Sequence, residues 1–559
     1  MKELVSLDRT TAHLDTFAFD SLPAEATWPT IEFTIDDVVY PAELNAATAL
    51  IDAAVAEHGP DRVCLRTPEG QLWTYGEVLA RANQVAHTLE SDLGLVPGNR
   101  VVLRGPNSPW LVIGWLAILK AGGIVVTTMH ALRAPELAPV VEATSPRFAL
   151  CDERFVDDLV SAAPHVLPVD RIVTFAVSDG GELGRLSADR PVLHSDVRTA
   201  SDDVALFAPT SGTTGTPKIT VHFHRDVLAN ADTFARHVLR PVADDVFAGT
   251  PPLAFTFGLG GLVVFPLRFG ASTLLLERAT PPELARIVDE FGVTVLFTAP
   301  TAYRAILRAG EADRLRAVRR AVSAGEHLPA SVWQEVFDAT GLKLINGIGS
   351  TELLHIFISA ADDDIRPGST GRPIPGYRAT ILDDDGREAP VGELGRLAVI
   401  GPTGCRYLHG DRQGGYVASG WNVTGDTYRR DADGYFWYEA RSDSMIVSSG
   451  YNIGAPEVEN ALGRHPDVVE SGVVGKPDAE RGAIVAAFVV LREGVKGDEA
   501  KRRELQDFVK ATIAPFKYPR ELHFVDSLPR NPSGKLQHFK LREQLETQVA
   551  PEQALGSRS

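Results

Sequence analysis

The stretch PTSGTTGTPK, residues 209–218, sets five hydroxyl side chains (Thr210, Ser211, Thr213, Thr214 and Thr216), two glycines (Gly212 and Gly215) and one cation, Lys218, within ten residues. Glycine lets a backbone turn tightly and aim its N–H groups at a ligand, hydroxyls add donors, and the lysine adds positive charge. Polyphosphate suits such a donor set. The apolar, β-branched flanks DDVALFA and ITVHFHRDV read as strands, so the stretch is expected as a ligand loop within a sheet rather than a solvated linker. It is not a Walker A loop, because no Gly-Lys-Ser/Thr ends it.

Outward from this loop, residues 48–400 alternate short β-branched runs with helical periods, as in RVVLRG, SPWLVIGWLAILKAG and IVVTTM. That alternation predicts α/β units around buried sheets. The longest apolar run, residues 110–129, is broken by Lys120 and a glycine pair, and reads as a buried helix followed by a strand rather than a membrane span. From Tyr377 onward short strands with Asp-Gly turn signals predict a small β subdomain. Beyond residue 443 come a helix (APEVENALGRH), strands (VVESGVVG, AIVAAFVVL), a charged helix near residues 499–512 and a last strand (ELHFVD). The expected fold is α/β: a large N-terminal domain of layered sheets plus a small β subdomain, residues 1–442, followed by a small mobile α+β domain, residues 443–559. The tail PEQALGSRS is expected to be disordered.

At 559 residues the chain is too long for one core. A hydrophobic content of 44% and a charged content of 23% exclude fibrous and disordered classes. The net charge of −18 argues against nucleic acid or anionic membrane as a partner. Cys64, Cys151 and Cys405 are far apart, and the N-terminal MKELVSLDRTTAHLD lacks a secretory pattern; both point to a reducing cytoplasm.

TSGTTGTPK resembles the phosphate loop of the adenylate-forming superfamily of acyl-CoA synthetases, adenylation domains and luciferases. Four further segments occur in that family's order: NGIGSTE (346–352), TGD (424–426), ARSDSMIVSSG (440–450) and NPSGK (531–535). The resemblance implies ATP, Mg²⁺ and coenzyme A as cofactors and co-substrates, in a monomer or homodimer. It implies a nucleotide site from Thr210, Ser211, Gly212, Thr213, Thr214, Gly215, Lys218, Asn346, Gly347, Ile348 and Gly349, with Gly325 and Glu326 of SAGEHLP beside the adenine. Thr351 would contact the α-phosphate and Glu352 hold Mg²⁺, although Ser350 or Thr351 could equally serve as a helix cap. Asp426, assisted by Arg441, would accept the ribose hydroxyls. Lys535 would bridge the carboxylate and the α-phosphate, Asp443 would be the hinge, and Gly450 would let the pantetheine arm pass. The chain departs from the family pattern at Ala440, Ser444 and Val447, which bears on the hinge.

The same resemblance draws the acyl pocket from Phe255, Thr256, Phe257, Phe297, Ala324, Gly347, Gly349, Leu354 and His355. Thr256 stands where amino-acid-activating domains carry an aspartate, which disfavours an α-amino acid. The phenylalanines suggest a flat apolar slot for an aromatic ring, or else core residues. GSTELLHIF and FTFGLGG resemble benzoate- and 2-aminobenzoate-CoA ligases, so the expected substrate is a small aromatic carboxylic acid; a carrier protein is the alternative acceptor to free CoA. Thr427 replaces a lysine of some benzoate ligases. His355 would border the ring or an ortho substituent, or be a core histidine. Asp232 is expected to face solvent from a helix. His222 and His224 share a strand face, yet no third metal ligand has convincing spacing.

Overall fold

The structure, a computed structural model, describes residues 11–545 except 211–216, 411, 442–444, 449, 450, 479, 480, 514 and 531–535. Two compact units divide the chain: Met1–Ala379 with Val399–Val423, and Thr380–Ala398 with Thr424–Ser559.

In the first unit, the strands flanking the opening stretch, Val204–Thr210 and Lys218–Phe223, pair antiparallel with Thr210 opposite Lys218. They end a six-stranded sheet ordered Ile172–Phe175, Phe148–Asp152, Arg100–Gly105, Ile124–Met129, Val204–Thr210, Lys218–Phe223, parallel in every other pair. Arg100–Gly105 and Ile124–Met129 are buried at every position, as strands covered on both faces must be. Helix Pro109–Lys120 is likewise buried throughout, started by Ser108, whose hydroxyl accepts from the Leu111 amide (3.3 Å). Its one charge, Lys120, donates to Asp52 (2.6 Å) and Asp196 (2.7 Å), which is how a buried ammonium is tolerated. Among the described residues no helix is long and apolar enough to cross a membrane.

A nine-stranded sheet makes the other half of this unit. Its parallel centre runs Ile345–Gly349, Arg320–Ser323, Val295–Thr298, Val246–Gly249, Ser272–Leu274, Val63–Arg66, with antiparallel strands outside. The expected Asp-Gly turns form: Gly386 and Gly434 adopt φ of 77° and 82°, and strands Trp421–Arg430 and Phe436–Arg441 pair antiparallel across the second turn. The second unit also holds helix Ala455–Gly463, the long hairpin Val468–Asp478/Gly482–Leu491, helix Glu499–Thr512 and strand Glu521–Phe524, around a core that includes Val458, Leu462, Val473, Val485 and Leu505. The mixed α/β architecture with a large sheet-rich unit and a smaller one agrees with the expected fold class, while residues 380–398 and 424–442, expected in the large domain, group with the smaller unit; the tail from 546 lies outside the described residues.

Candidate active site

Parallel strands expose ligands at their carboxyl ends. At those ends lie the predicted segments of the nine-stranded sheet: Phe255, Thr256 and Phe257 after Val246–Gly249, Phe297 within Val295–Thr298, Ala324, Gly325 and Glu326 after Arg320–Ser323, and Asn346, Gly347, Ile348 and Gly349 within Ile345–Gly349. Gly325 is exposed with φ +88°, and a Cβ there would meet nothing within 4 Å; the backbone conformation, not space, calls for glycine. Asn346 is held from both sides: its amide donates to the Ser369 carbonyl (3.2 Å), and its own carbonyl accepts from Ser359 (2.6 Å).

The turn 350–355 then brings this sheet to the phosphate hairpin. Ser350 caps the short 3-10 turn Thr351–Leu353, accepting from the Leu353 amide, and meets the Tyr416 hydroxyl at 3.0 Å. His222, from hairpin strand Lys218–Phe223, donates Nε2–H to the Thr351 carbonyl (2.8 Å). Burial pushes this imidazole down to about 4, so it is neutral and a dependable donor. Segment 406–408 lies along the same strand: Val221 donates to Arg406 (2.8 Å) and Leu408 donates to Ile219 (2.9 Å). That places Tyr407 between the two predicted groups. Its hydroxyl donates to Glu352 Oε1 (2.5 Å), and the Lys218 ammonium sits 5.2 Å from its ring centroid. Burial and the adjacent carboxylate hold the phenol far above its usual range, so it stays a donor. Arg406, fully buried, anchors the segment: its guanidinium lies 4.2 Å from the Phe223 ring and 4.8 Å from that of Trp28, and donates to Asp226 (3.2 Å).

Beyond Oε1, which accepts from Tyr407, Glu352 offers a second carboxylate oxygen to which no described residue donates. This all-oxygen donor fits a hard divalent ion that keeps phosphate and water ligands.

The chain's direction then changes sharply. Leu354 adopts φ 72°, ψ −38°, a conformation costing a side-chain-bearing residue about 1–3 kcal/mol. It turns His355 into a cage of four phenylalanines: Phe265 edge-on at 4.7 Å between centroids, Phe234 at 5.4 Å, Phe257 at 5.7 Å and Phe297 at 6.4 Å. His355 is 4% exposed, and among the described residues neither ring nitrogen has a hydrogen-bond partner. Burial drives it down to about 3; the Phe257 carbonyl pulls weakly the other way without completing a hydrogen bond. Gly260 and Gly261 leave room for this packing, since a Cβ would fall 2.4 Å from His355 Cδ2 and 2.6 Å from Phe297 Cδ1 respectively. Phe297 is fully buried and stacked on Phe247, whereas Phe255 and Phe257 are half-buried.

One expectation is corrected. Asp232 does not face solvent: it is fully buried, taking two bonds from Arg268 (3.0 Å each), one from Arg236 (2.8 Å) and one from Tyr40 (2.9 Å). Arg236 at i+4 was the signal available in the sequence. Sequence reasoning also missed Tyr407, Arg406, Phe234 and Phe265, and weighed His222 only as a metal ligand. Asp426 belongs to the second unit, where its backbone stands opposite Arg441 and its amide donates to Thr424 (3.2 Å). Ser211, Gly212, Thr213, Thr214, Gly215, Asp443, Gly450 and Lys535 lie outside the described residues.

Comparison with known proteins rests on this geometry. The AMP-binding enzyme family matches residues 52–407, and the AMP-binding enzyme C-terminal domain matches residues 457–535. The chain belongs to the AMP-binding enzyme family. The ligase is 34% identical over 516 residues to a benzoate-CoA ligase of Thauera aromatica, covering 90% of this chain and 96% of that one. It is 31% identical to the rat mitochondrial acyl-coenzyme A synthetase ACSM3, over 84% of each chain. Among solved structures, the anthranilate CoA ligase AuaEII in complex with anthranoyl-AMP superposes with a TM-score of 0.86 at 32% identity, covering 92% of this chain and all of that one. The ligase is thus an AMP-forming acid–thiol ligase, the class that its loops had suggested.

Proposed function

We propose that the ligase activates a small aromatic carboxylic acid, of the benzoate or 2-aminobenzoate type, as its acyl-adenylate and transfers it to coenzyme A. The observation that carries this reading is His355: a neutral, buried imidazole, walled by phenylalanines, with both nitrogens unpartnered among the described residues. A buried polar group without a partner calls for an explanation, and an aryl acid whose ortho amino or hydroxyl group bonds to it supplies one. Ring faces and edges around it suit a flat arene. The names of the benzoate and anthranilate ligases lean the same way.

In the first half-reaction a carboxylate oxygen of the acid attacks the α-phosphorus of ATP and pyrophosphate leaves. In the second the CoA sulfur attacks the acyl carbon and AMP departs with the bridging oxygen. Lys218 and the donors of residues 210–216 bind the phosphates. Tyr407 holds Glu352 in position, and His222 fixes Thr351 against the same strand. Mg²⁺, held by Glu352, would neutralise phosphate charge when bound. Lys535 stabilises the charge that builds at the oxygen joining acid to phosphorus, and Asp426 receives the ribose. Positioning and electrostatics carry the barrier reduction, with no covalent enzyme intermediate.

The test is ATP–pyrophosphate exchange, then CoA-dependent AMP release, across benzoate, 2-aminobenzoate, hydroxybenzoates and medium-chain aliphatic acids. Preference for an aryl acid supports the proposal. Turnover of aliphatic acids alone overturns it.

A further inference from the structure

A second constellation of titratable groups lies where helix Tyr75–Ser91 meets segment 192–197, whose Asp196 takes a bond from Lys120. Helix Tyr75–Ser91 carries His87 and Glu90 three positions apart, hence on one face. The segment 192–197, which precedes strand Val204–Thr210, brings His194 against them, its ring edge-on to His87 at 4.7 Å. One nitrogen of each histidine and one Glu90 oxygen all lie within 4.8 Å of one another. We propose that His87, Glu90 and His194 form a binding site for a zinc-like divalent transition metal, which staples helix Tyr75–Ser91 to segment 192–197.

The outer partners carry the argument. His194 donates Nδ1–H to Asp196 (2.8 Å), which turns Nε2 toward Glu90, 3.2 Å away. His87 donates Nε2–H to the Leu193 carbonyl (2.8 Å), which leaves the lone pair on Nδ1. Metal-binding imidazoles are held in this way, by a carboxylate or backbone carbonyl on the far nitrogen. Asp196 is itself fixed by Thr48 (2.6 Å) and by the buried ammonium of Lys120 (2.7 Å), so the site is braced from the core. Two imidazoles and one carboxylate suit zinc, with a coordination position left for water; magnesium and calcium prefer oxygen alone. His194 is buried, its side chain 2% exposed, while His87 and Glu90 are half-buried and give access from solvent.

Zinc chloride titrated into the EDTA-stripped full chain, in excess magnesium so that oxygen-only sites are filled, tests this by equilibrium dialysis and by Tm. The expected result is one equivalent per chain with a rise in Tm. His87→Ala and Glu90→Gln, both at half-buried positions, each weaken binding roughly 100-fold, at least what loss of an outer-sphere partner costs, and abolish the rise. Both should keep a metal-free Tm close to the parent's. Failure of the parent to bind one equivalent overturns the proposal, as does zinc binding that is undiminished in both variants.

Discussion

Glu352 and His355 stand three residues apart and keep opposite company. Glu352 accepts from Tyr407, which also lies under Lys218, and the neighbouring Thr351 carbonyl is held by His222. His355 has four phenylalanine rings around it and, among the described residues, no partner for either nitrogen. The phosphate end is assembled in advance, as a site must be when its work is electrostatic. The acyl end leaves a polar group unsatisfied, a standing cost of about 1–3 kcal/mol that only a ligand with the right substituent recovers. On the proposed reading, one end serves catalysis and the other selection.

The largest effects should come from the phosphate end. Glu352→Gln is expected to slow adenylate formation about 10²- to 10³-fold in pyrophosphate exchange, with KM for the acid unchanged; a parallel change in both would erase the contrast. Lys535→Ala should fall as far in adenylation yet largely spare thioester formation from supplied acyl-adenylate, and equal loss in both half-reactions refutes its role. Tyr407→Phe removes one hydrogen bond to a carboxylate, worth about 1.5–3 kcal/mol of stability, so a lowered Tm is expected together with a drop in kcat of roughly 10-fold or more.

At the acyl end the readouts move to binding and stability. Gly260→Ala sets a methyl 2.4 Å from His355 Cδ2 and should cost about 1–3 kcal/mol in stability while raising KM for the acid and not for ATP. A separate effect, cumulative over several histidines, concerns pH. His355, His222 and His224 have pKa values lowered by burial to about 3, 4 and 3. The unfolded chain therefore takes up protons that the folded one refuses. Stability should be full above pH 6.5 and fall as pH drops toward 4, by about 1.4 kcal/mol per pH unit for each histidine. His355→Leu should remove one such increment from the acid slope measured by denaturant unfolding, and should reduce discrimination between 2-aminobenzoate and benzoate. An unchanged slope would mean that His355 is solvated.

Much of the fold was legible because it is written locally. The β-branched flanks of residues 209–218 give two paired strands, Asp-Gly gives the turns at Gly386 and Gly434, and the apolar run 110–119 gives a helix buried on all sides. Of the expected site residues, Lys218 and Glu352 are brought together by one side chain, Tyr407. Tyr407 itself was not legible, since segment 406–408 acquires its strand-like pairing only from Lys218–Phe223, almost two hundred residues earlier. Phe234 and Phe265 were missed for the same reason: separate helical elements bring them to His355. Asp232 was misread because helical exposure depends on the partners that surround it, here Arg268, Arg236 and Tyr40.

The reversed backbone at Leu354 has an evolutionary corollary. Residues on its two sides answer to different reactants but share one short, unyielding bend, so neither can be re-aimed alone. Lineages acquiring new acids should keep the bend at 350–354 and change the side chain at 355 or the rings at 234, 257 and 265, which arrive on other elements and can be exchanged without disturbing nucleotide chemistry.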